Sequence, residues 1–278
     1  MLASNVPRTV ERAVTGMTDS VPVLQSPAFR GDDIRLRPSE SGAHLVAWSL
    51  SEGEEKPVVV GRFDFTAPAP FPLSVRAAKR ALDIVSSSVA LVLLSPLFLA
   101  LSIIIKASSK GPVLYRQERV SQITATGERT FNMVKFRTMV SDAEKLSGPV
   151  WAGEDDPRIT RLGRFMRKTR LDEFPQFWNV LTGEMSLVGP RPERPFFTEK
   201  LQQEIPVYAD RVTTLKPGIT GWAQVRLPYD DSLDSVRNKV MYDVAYGAQL
   251  YRLSTYLRIE VRVIALTFVV VLTGKGAR

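Results

Sequence analysis

The chain has 278 residues, a formal net charge of +8 and no cysteine, so disulfides, thiolate nucleophiles and cysteine-ligated zinc are excluded. Its single histidine, His44, argues against a Ser-His-Asp triad and against a metal site built from several histidines. Acid–base, nucleophilic or metal chemistry therefore has to rest mainly on Asp and Glu, and oxygen ligands of that kind favour magnesium or manganese over zinc.

The positive charge is concentrated in the second part of the chain. Residues 1 to 75 carry seven basic and nine acidic side chains, a net of −2, whereas residues 76 to 278 carry 30 and 20, a net of +10. A local basic excess of this size indicates anionic partners, a class that includes nucleic acid, an acidic membrane surface and phosphorylated substrates.

The first 75 residues are predicted to form a polar extension. Residues 1 to about 27 contain three prolines and no long apolar run, so they lack the core of a secretory signal and are predicted to be disordered. His44–Trp48 and Val58–Val60 are strand-like runs, and the polar residues between them favour a small hairpin. The proline-rich Ala67–Pro72 then indicates a stiff linker and a domain boundary.

A long apolar segment follows this boundary. Ile84–Ile105 holds 22 residues without a charge. As a helix the segment would be about 33 Å long, enough to cross the core of a bilayer. A buried helix of a soluble core is the alternative, but uncharged runs of this length are uncommon in soluble domains. The segment therefore favours a membrane helix.

The flanks of this segment indicate how it enters the membrane. Cations occur on both sides of it, at Arg76, Lys79, Arg80, Lys106, Lys110, Arg116 and Arg119. Positive flanks mark the cytoplasmic side, so a single span would place one cluster on the wrong side. Pro96 removes a backbone donor at mid-run, and the Ser95 hydroxyl can satisfy the carbonyl that is freed. We predict that residues 76 to 110 form a re-entrant helix that breaks at Ser95-Pro96 and returns to the same face.

Two patterns after this segment have a functional and a structural interpretation. Phe131–Met139 is a strand-like run in which Lys135 and Arg137 are two positions apart, so a strand would direct both cations to one face. That face could bind a diphosphate, or it could be an ordinary exposed polar face. Glu154–Asp156 is an acidic loop, which would fit either a metal site or an exposed turn.

The most informative stretch begins at Arg158. From there to Arg170, cations and apolar residues alternate with the spacing of an amphipathic helix. Asp172 and Glu173 follow at once, and Pro175 predicts a break. Cations favour the ionised form of a nearby carboxyl group and attract phosphate, so this pattern indicates phosphoryl chemistry. A solvated basic helix with internal ion pairs is the alternative.

Several motifs occur together and in order. They are Lys79–Asp83, Ser95-Pro96, Gly111–Gln117, Lys135–Met139, Arg167–Glu173, Gly189–Pro192 and Lys216–Gln224. In this combination the chain resembles the bacterial sugar transferase family, the monotopic polyprenyl-phosphate phosphoglycosyl transferases, over residues 76 to 278.

The resemblance implies a reaction. Such enzymes move a sugar-1-phosphate from a UDP-sugar onto a polyprenyl phosphate and release UMP. By analogy, Asp172 would attack the phosphate next to the sugar to form a covalent intermediate, which the polyprenyl phosphate would then resolve. The family's cofactor is Mg²⁺, with Mn²⁺ as a substitute, and Asp172 would be a metal ligand. Glu173 would either bind the metal or accept a proton.

Further site residues follow from the same resemblance. Phosphate binding is assigned to Lys135, Arg137, Arg167 and Arg191, and Pro190 is expected to fix the backbone that presents Arg191. These assignments place four cations around the acidic pair, as charge neutralisation on phosphate oxygens requires.

The expected fold is α+β and mostly helical, a membrane-associated catalytic domain with a re-entrant helix-break-helix and little β-structure. Residues 111 to 278 would form the catalytic domain on the cytoplasmic face of the bacterial inner membrane, with Ile259–Leu272 as an interfacial or packing helix. The expected partners are a UDP-sugar, a polyprenyl phosphate and membrane lipid.

Two other classes of protein fit parts of the sequence. A non-catalytic adaptor that binds anionic lipid would explain the basic surface, but Asp172 and Glu173 would weaken lipid attraction. A nucleic-acid binder would explain the net charge, but the apolar segment argues against nucleic acid as a partner. Release of UMP from a UDP-sugar would separate the enzyme from both.

Overall fold

The fold is described from a computed structural model of the chain. The described residues are 35–38, 44–51, 54–62, 71–124, 127–143, 156–205, 208–227 and 233–273. The tail predicted to be disordered, most of the proline-rich linker, and Glu154 and Asp155 of the acidic loop lie outside these ranges.

Three antiparallel strands precede the apolar segment. They are β1 (Arg35–Pro38), β2 (His44–Ser51) and β3 (Glu54–Arg62), in the order β1-β2-β3. β2 pairs with β3 along its whole length, from His44 opposite Arg62 to Ser51 opposite Glu54. This pairing contains both strand-like runs of the predicted hairpin.

The apolar segment forms two helices that meet at a bend. They are α1 (Leu73–Leu93) and α2 (Ser95–Ser108), bent by 58° at Leu94. Pro96 has no N–H for the Val92 carbonyl, and the Ser95 hydroxyl donates to that oxygen over 2.8 Å. The predicted compensation by Ser95 is therefore confirmed. Among the described residues no single helix is long and apolar enough to cross a membrane, whereas the bent pair together has the length and composition of a broken span or a re-entrant segment.

The helix pair leaves most of its apolar side chains uncovered. Val92 and Leu93 at the bend are 71% and 72% exposed. More than half of the side-chain surface is also exposed at Val85, Val89, Leu99 and Ile103. The buried side chains of the pair are Val75, Asp83 and Ser87 on α1 and Leu101 and Ile105 on α2, and the apolar ones pack against the rest of the chain. An exposed apolar surface of this extent is unlike the core helix of a soluble protein and is typical of a surface that contacts a membrane or another protein.

The strand-like run after the helices pairs with its predecessor. β4 (Leu114–Thr124) and β5 (Gly127–Phe136) form a two-stranded antiparallel sheet. A second small sheet joins β6 (Ser186–Val188) to β7 (Gly218–Thr220) in parallel.

The amphipathic stretch folds as predicted in its first part. α3 (Arg161–Lys168) begins after Thr160, whose hydroxyl accepts from the Gly163 N–H over 2.9 Å as an N-cap. A 3-10 turn, Leu171–Glu173, follows, and then α4 (Gln176–Thr182). The predicted break at Pro175 lies between this turn and α4, but α3 itself has already ended at Lys168.

Helices make up most of the remainder. They are α5 (Pro195–Glu204), α6 (Asp210–Thr213), α7 (Trp222–Arg226), α8 (Leu233–Ala248) and α9 (Leu253–Thr273). The predicted α+β, mostly helical fold with little β-structure is confirmed. α9 contains the predicted interfacial segment, and its Val261 and Phe268 are each 66% exposed.

Buried polar contacts fix α1 to the rest of the domain. Asp83 is almost fully buried, and its Oδ1 accepts from the Ser186 hydroxyl and from the Leu187 N–H, each over 2.9 Å. The Arg80 guanidinium donates to the carbonyls of Val180 and Leu181, each over 2.7 Å, at the C-terminal end of α4. Since donors near a helix C-terminus satisfy its free carbonyls, these contacts join two helices end to side.

The packing of α3 against the chain allows a stability prediction. A Cβ at Gly163 would lie 1.9 Å from the Thr138 carbonyl oxygen, so α3 could not keep its present position. Helix propensity alone would favour alanine by about 1 kcal/mol, but overpacking costs about 1–3 kcal/mol and outweighs it. We expect Gly163→Ala to lower the Tm, measured by thermal unfolding in detergent. Arg164→Ala, exposed on the same helix, is the control, and a Gly163→Ala variant as stable as wild type would contradict this close packing.

Candidate active site

The acidic pair lies in a tight turn directly after α3. Arg170 adopts a left-handed conformation with φ 57°, the only positive φ of a non-glycine residue in the described part of the chain. Such a conformation costs about 1–2 kcal/mol and ends the helix abruptly. It leads into the 3-10 turn in which Asp172 is buried and the Glu173 side chain is 16% exposed.

Cations surround the acidic pair. Arg191 Nη2 donates to Glu173 Oε1 over 2.9 Å, and Arg170 lies close enough to stabilise the charge of Glu173. Lys135 and Arg167 both act on Asp172. The structure therefore brings together five of the predicted residues, namely Asp172, Glu173, Lys135, Arg167 and Arg191.

The two carboxyl groups have different electrostatic environments. Burial, followed by the charge of Glu173, raises the pKa of Asp172 to about 7, although Lys135 and Arg167 oppose the rise. Burial also disfavours the ionised form of Glu173, but the charge and hydrogen bond of Arg191, together with the charges of Arg170 and Lys135, outweigh it, so the pKa of Glu173 is lowered. Glu173 is thus ionised near neutral pH, whereas Asp172 exchanges its proton there.

Lys135 is the cation whose charge acts most strongly on Asp172. Burial and the nearby Arg119 lower the pKa of Lys135 to about 8, and the charges of the acidic pair oppose that change. Its ammonium donates to Gln117 Oε1 over 3.1 Å, and the same oxygen accepts from Arg119 Nη2 over 2.7 Å. A single neutral side chain therefore holds two cations beside the acidic pair.

Gln117 and Arg119 were not identified as site residues from the sequence. Both lie on β4, two positions apart, and Gln117 is 8% exposed. Two features of the sequence could have indicated them: their spacing, which places both on one face of a strand, and the position of Gln117 at the end of the Gly111–Gln117 motif. A glutamine without charge or periodicity gives no functional indication by itself.

Arg137 lies elsewhere. β5 ends at Phe136, so the predicted strand face shared by Lys135 and Arg137 is wrong. The buried Arg137 guanidinium donates to the carbonyls of Lys110 over 2.9 Å and Ser109 over 2.8 Å, and to the Ser109 hydroxyl. It therefore binds the chain where α2 ends, and the structure does not bring it to the acidic pair.

The segment that presents Arg191 is bound along its backbone. Pro190 is buried, and its carbonyl accepts from the Gly218 N–H over 2.9 Å. Three cations from separate parts of the chain donate to other carbonyls of this segment: Lys79 to Val188, Arg211 to Arg191 and Arg119 to Pro192. The backbone is thus fixed on both sides of Arg191, consistent with the role expected of Pro190.

Lys79 and Arg211 are themselves held by buried partners. Lys79 forms an ion pair of 2.8 Å with Glu260, which is 1% exposed, and donates to the Tyr246 hydroxyl over 2.9 Å. Arg211 forms an ion pair of 2.9 Å with the buried Asp243. Removing one partner of a buried pair costs about 3–5 kcal/mol, so these cations are firmly placed.

The donor set fits magnesium only in part. No cluster of three or more His, Cys, Asp or Glu residues that could hold a metal occurs in the described part of the chain. Mg²⁺, however, usually binds through one or two carboxylates and completes its shell with water and substrate phosphates. Asp172 with Glu173 meets that requirement. Asp156, from the predicted acidic loop, instead binds the Arg158 guanidinium, which lowers its pKa to about 2.

The site adjoins the apolar helix pair. Leu171, next to Asp172, packs with Leu101 and Ile105 of α2. An acidic pair among cations, next to an exposed apolar helix pair, suits a transferase that handles phosphorylated groups at a membrane. Comparison with known families gives the same class: the model of the bacterial sugar transferase family matches residues 74–274, and the chain belongs to that family.

Individual relatives are similar over the same part of the chain. UDP-N-acetylgalactosamine-undecaprenyl-phosphate N-acetylgalactosaminephosphotransferase of Aeromonas hydrophila is 42% identical over 200 residues, 72% of this chain and 45% of that protein. Putative undecaprenyl-phosphate N-acetylgalactosaminyl 1-phosphate transferase of Bacillus subtilis is 47% identical over 154 residues, 55% and 79% respectively. UDP-glucose:undecaprenyl-phosphate glucose-1-phosphate transferase of Escherichia coli is 41% identical over 174 residues, 62% and 36%. The chain thus spans less than half the length of the first and third.

Proposed function

We propose that this protein transfers a sugar-1-phosphate from a UDP-sugar to a polyprenyl phosphate and releases UMP. The observation that carries the proposal is the buried Asp172 in its cationic surroundings, next to the lipid-facing helix pair. The names of the three relatives support the proposal, because each describes a phosphotransferase or 1-phosphate transferase that acts with a sugar and undecaprenyl phosphate.

The proposed reaction has two displacements. In the first, a carboxylate oxygen of Asp172 bonds to the phosphorus next to the sugar, the phosphoanhydride bond breaks, and UMP leaves with the bonding electron pair. In the second, an oxygen of the polyprenyl phosphate bonds to that phosphorus and the bond to Asp172 breaks. The first displacement forms an aspartyl phosphosugar intermediate, and the second consumes it and restores the Asp172 carboxylate.

The surrounding residues have distinct parts in this scheme. Lys135, Arg167 and Arg191 neutralise the phosphate oxygens as negative charge develops on them. Glu173, ionised and bound to Arg191, keeps that arginine next to the reacting phosphate. The pKa of Asp172, about 7, leaves much of the nucleophile as the carboxylate at neutral pH, while its low exposure keeps it poorly solvated and reactive.

A divalent cation completes the charge balance. Asp172 would hold Mg²⁺, with Mn²⁺ as a substitute and Glu173 within reach, and the bound ion would neutralise charge on the diphosphate.

The exposed helix pair associates the chain with a membrane, as expected for a protein whose acceptor is a lipid. We place the catalytic residues on the cytoplasmic face of the bacterial inner membrane, because UDP-sugars are cytoplasmic and the basic flanks of α1 and α2 favour that side. The reaction would be the first membrane step in assembly of an exopolysaccharide, capsule or O-antigen.

Purified protein in detergent or nanodiscs tests the proposal. With undecaprenyl phosphate and a panel of UDP-sugars, we expect UMP release that depends on both substrates for at least one sugar. Activity should require Mg²⁺ or Mn²⁺ and fall at least about 100-fold in EDTA, with recovery on adding excess Mg²⁺ but not Zn²⁺. Binding to anionic vesicles without UMP release would favour the adaptor, and full activity in EDTA would remove the metal from the scheme.

A further inference from the structure

The Asn179 side chain of α4 contacts β5 as a neighbouring strand would. It is 1% exposed. Its Oδ1 accepts from the Val134 N–H over 2.9 Å, and its Nδ2 donates to the Asn132 carbonyl over 2.9 Å. One amide thus provides the acceptor and the donor that a paired strand would offer to these two backbone groups.

Within the described ranges, these backbone groups have no partner strand of their own. There β5 pairs with β4 alone, so its other edge is free of strand pairing. In a strand, the carbonyl of one residue and the N–H two positions later point to the same side, which here is the side facing Asn179. Both hydrogen bonds are partly buried, so leaving these groups unpaired would cost at most the roughly 1–3 kcal/mol of a fully buried group. Asn179 therefore fixes the position of this part of β5.

Asn179 is itself held in place. Its Nδ2 also donates to Glu184 Oε2 over 2.7 Å, and its backbone carbonyl accepts from the N–H groups of Gly183, Glu184 and Met185 over 2.9 to 3.1 Å. Both ends of the residue are thus anchored where α4 ends, so movement of the side chain relative to α4 is restricted.

The two elements that Asn179 joins carry opposite charges of the active site. Val134 immediately precedes Lys135 on β5, and the turn that contains Asp172 and Glu173 is separated by two residues from α4, which begins at Gln176. We propose that Asn179 is a positioning residue: it binds the edge of β5 and thereby holds the Lys135 ammonium at the acidic pair. The functional consequence rests on the function proposed above.

A double-mutant cycle separates this role from a general contribution to the fold. If Asn179 acts through Lys135, Asn179→Ala should lower kcat/KM by about 30-fold in the wild-type background and less than about 3-fold in the Lys135→Met background. Arg167→Met provides the matched control, because Arg167 also acts on Asp172 but lies on α3. In that background the full loss of about 30-fold should persist.

The same cycle is measured a second time from the Kd of UDP by calorimetry, which requires no turnover. Wild-type protein that binds UDP but releases no UMP would refute the proposed function, and the UDP cycle would still decide the role of Asn179. Independent effects of Asn179 and Lys135 in both measurements would overturn the positioning role.

Hydrogen exchange provides a direct test of the contact. The Val134 amide should exchange at least about 10-fold faster in Asn179→Ala than in wild type, whereas Glu184→Gln should keep it protected. Should Asn179→Ala fail to fold, Asn179→Asp replaces it, since it keeps the acceptor for Val134 and loses the donor to Asn132. Failure of both variants to fold would show that Asn179 maintains the fold as a whole and would overturn the proposal.

Discussion

Asp172→Asn should lower UMP release by on the order of 10³-fold or more while the protein stays folded. The amide has almost the same shape as the carboxyl group, but it is not a nucleophile and carries no charge for a metal. Burial raises the pKa of Asp172, which means that the folded protein favours the neutral form of this carboxyl group. A neutral amide at this position should therefore be tolerated by the fold. UMP release, with the Tm of the variant measured alongside, checks this.

The wild-type enzyme should also form the covalent intermediate. Incubation with a UDP-sugar but no polyprenyl phosphate should leave a sugar phosphate on the peptide that contains Asp172, detectable by mass spectrometry after rapid acid quench. Glu199→Gln, an exposed carboxylate on α5, is the control and should behave as wild type. Release of UMP by Asp172→Asn at a tenth of the wild-type rate or more would rule out Asp172 as the nucleophile.

The features that could be predicted from the sequence are local ones. The bend at Leu94 follows from the proline at position 96 and the serine before it, whose consequences appear within one helical turn. The helix α3 follows from its own periodicity, and the acidic pair follows it directly in the chain. Even there, the early end of α3 depends on the left-handed Arg170, a conformation that sequence patterns rarely disclose for a non-glycine residue.

The features that could not be predicted depend on contacts between distant parts of the chain. The prediction that Lys135 and Arg137 share one face required a strand that continues past Phe136. In the structure β5 ends there, and Arg137 instead binds the backbone at the end of α2. Asn179 and Gln117 are neutral, so no charge pattern marks them, and their partners lie 45 and 18 residues away in sequence. Such residues become visible only once the fold has placed a free strand edge or a second cation beside them.

The topology of α1 and α2 leads to an all-or-none labelling result. Single cysteines at Ser74 and at Ala107, both exposed and in a chain without native cysteine, should resist a membrane-impermeant maleimide in intact cells. Both cysteines should react with the impermeant maleimide after the cells are lysed. Both should also react with a membrane-permeant maleimide in intact cells. The two positions lie near the outer ends of the helix pair, so the result reports whether those ends share one side of the membrane.

The contacts at both ends of the pair explain this expectation. In the first half of α1, Arg80 and Asp83 bind the catalytic domain through α4 and β6, and where α2 ends Arg137 binds the backbone at Ser109. A pair that crossed the membrane once would have to separate one end from the domain and lose buried, charge-assisted hydrogen bonds, each worth about 1.5–3 kcal/mol. Both ends should therefore stay with the domain, and the bend at Leu94 should lie deepest in the lipid. A Ser74 cysteine that labels from outside intact cells would show that α1 and α2 span the membrane and that the re-entrant arrangement is wrong.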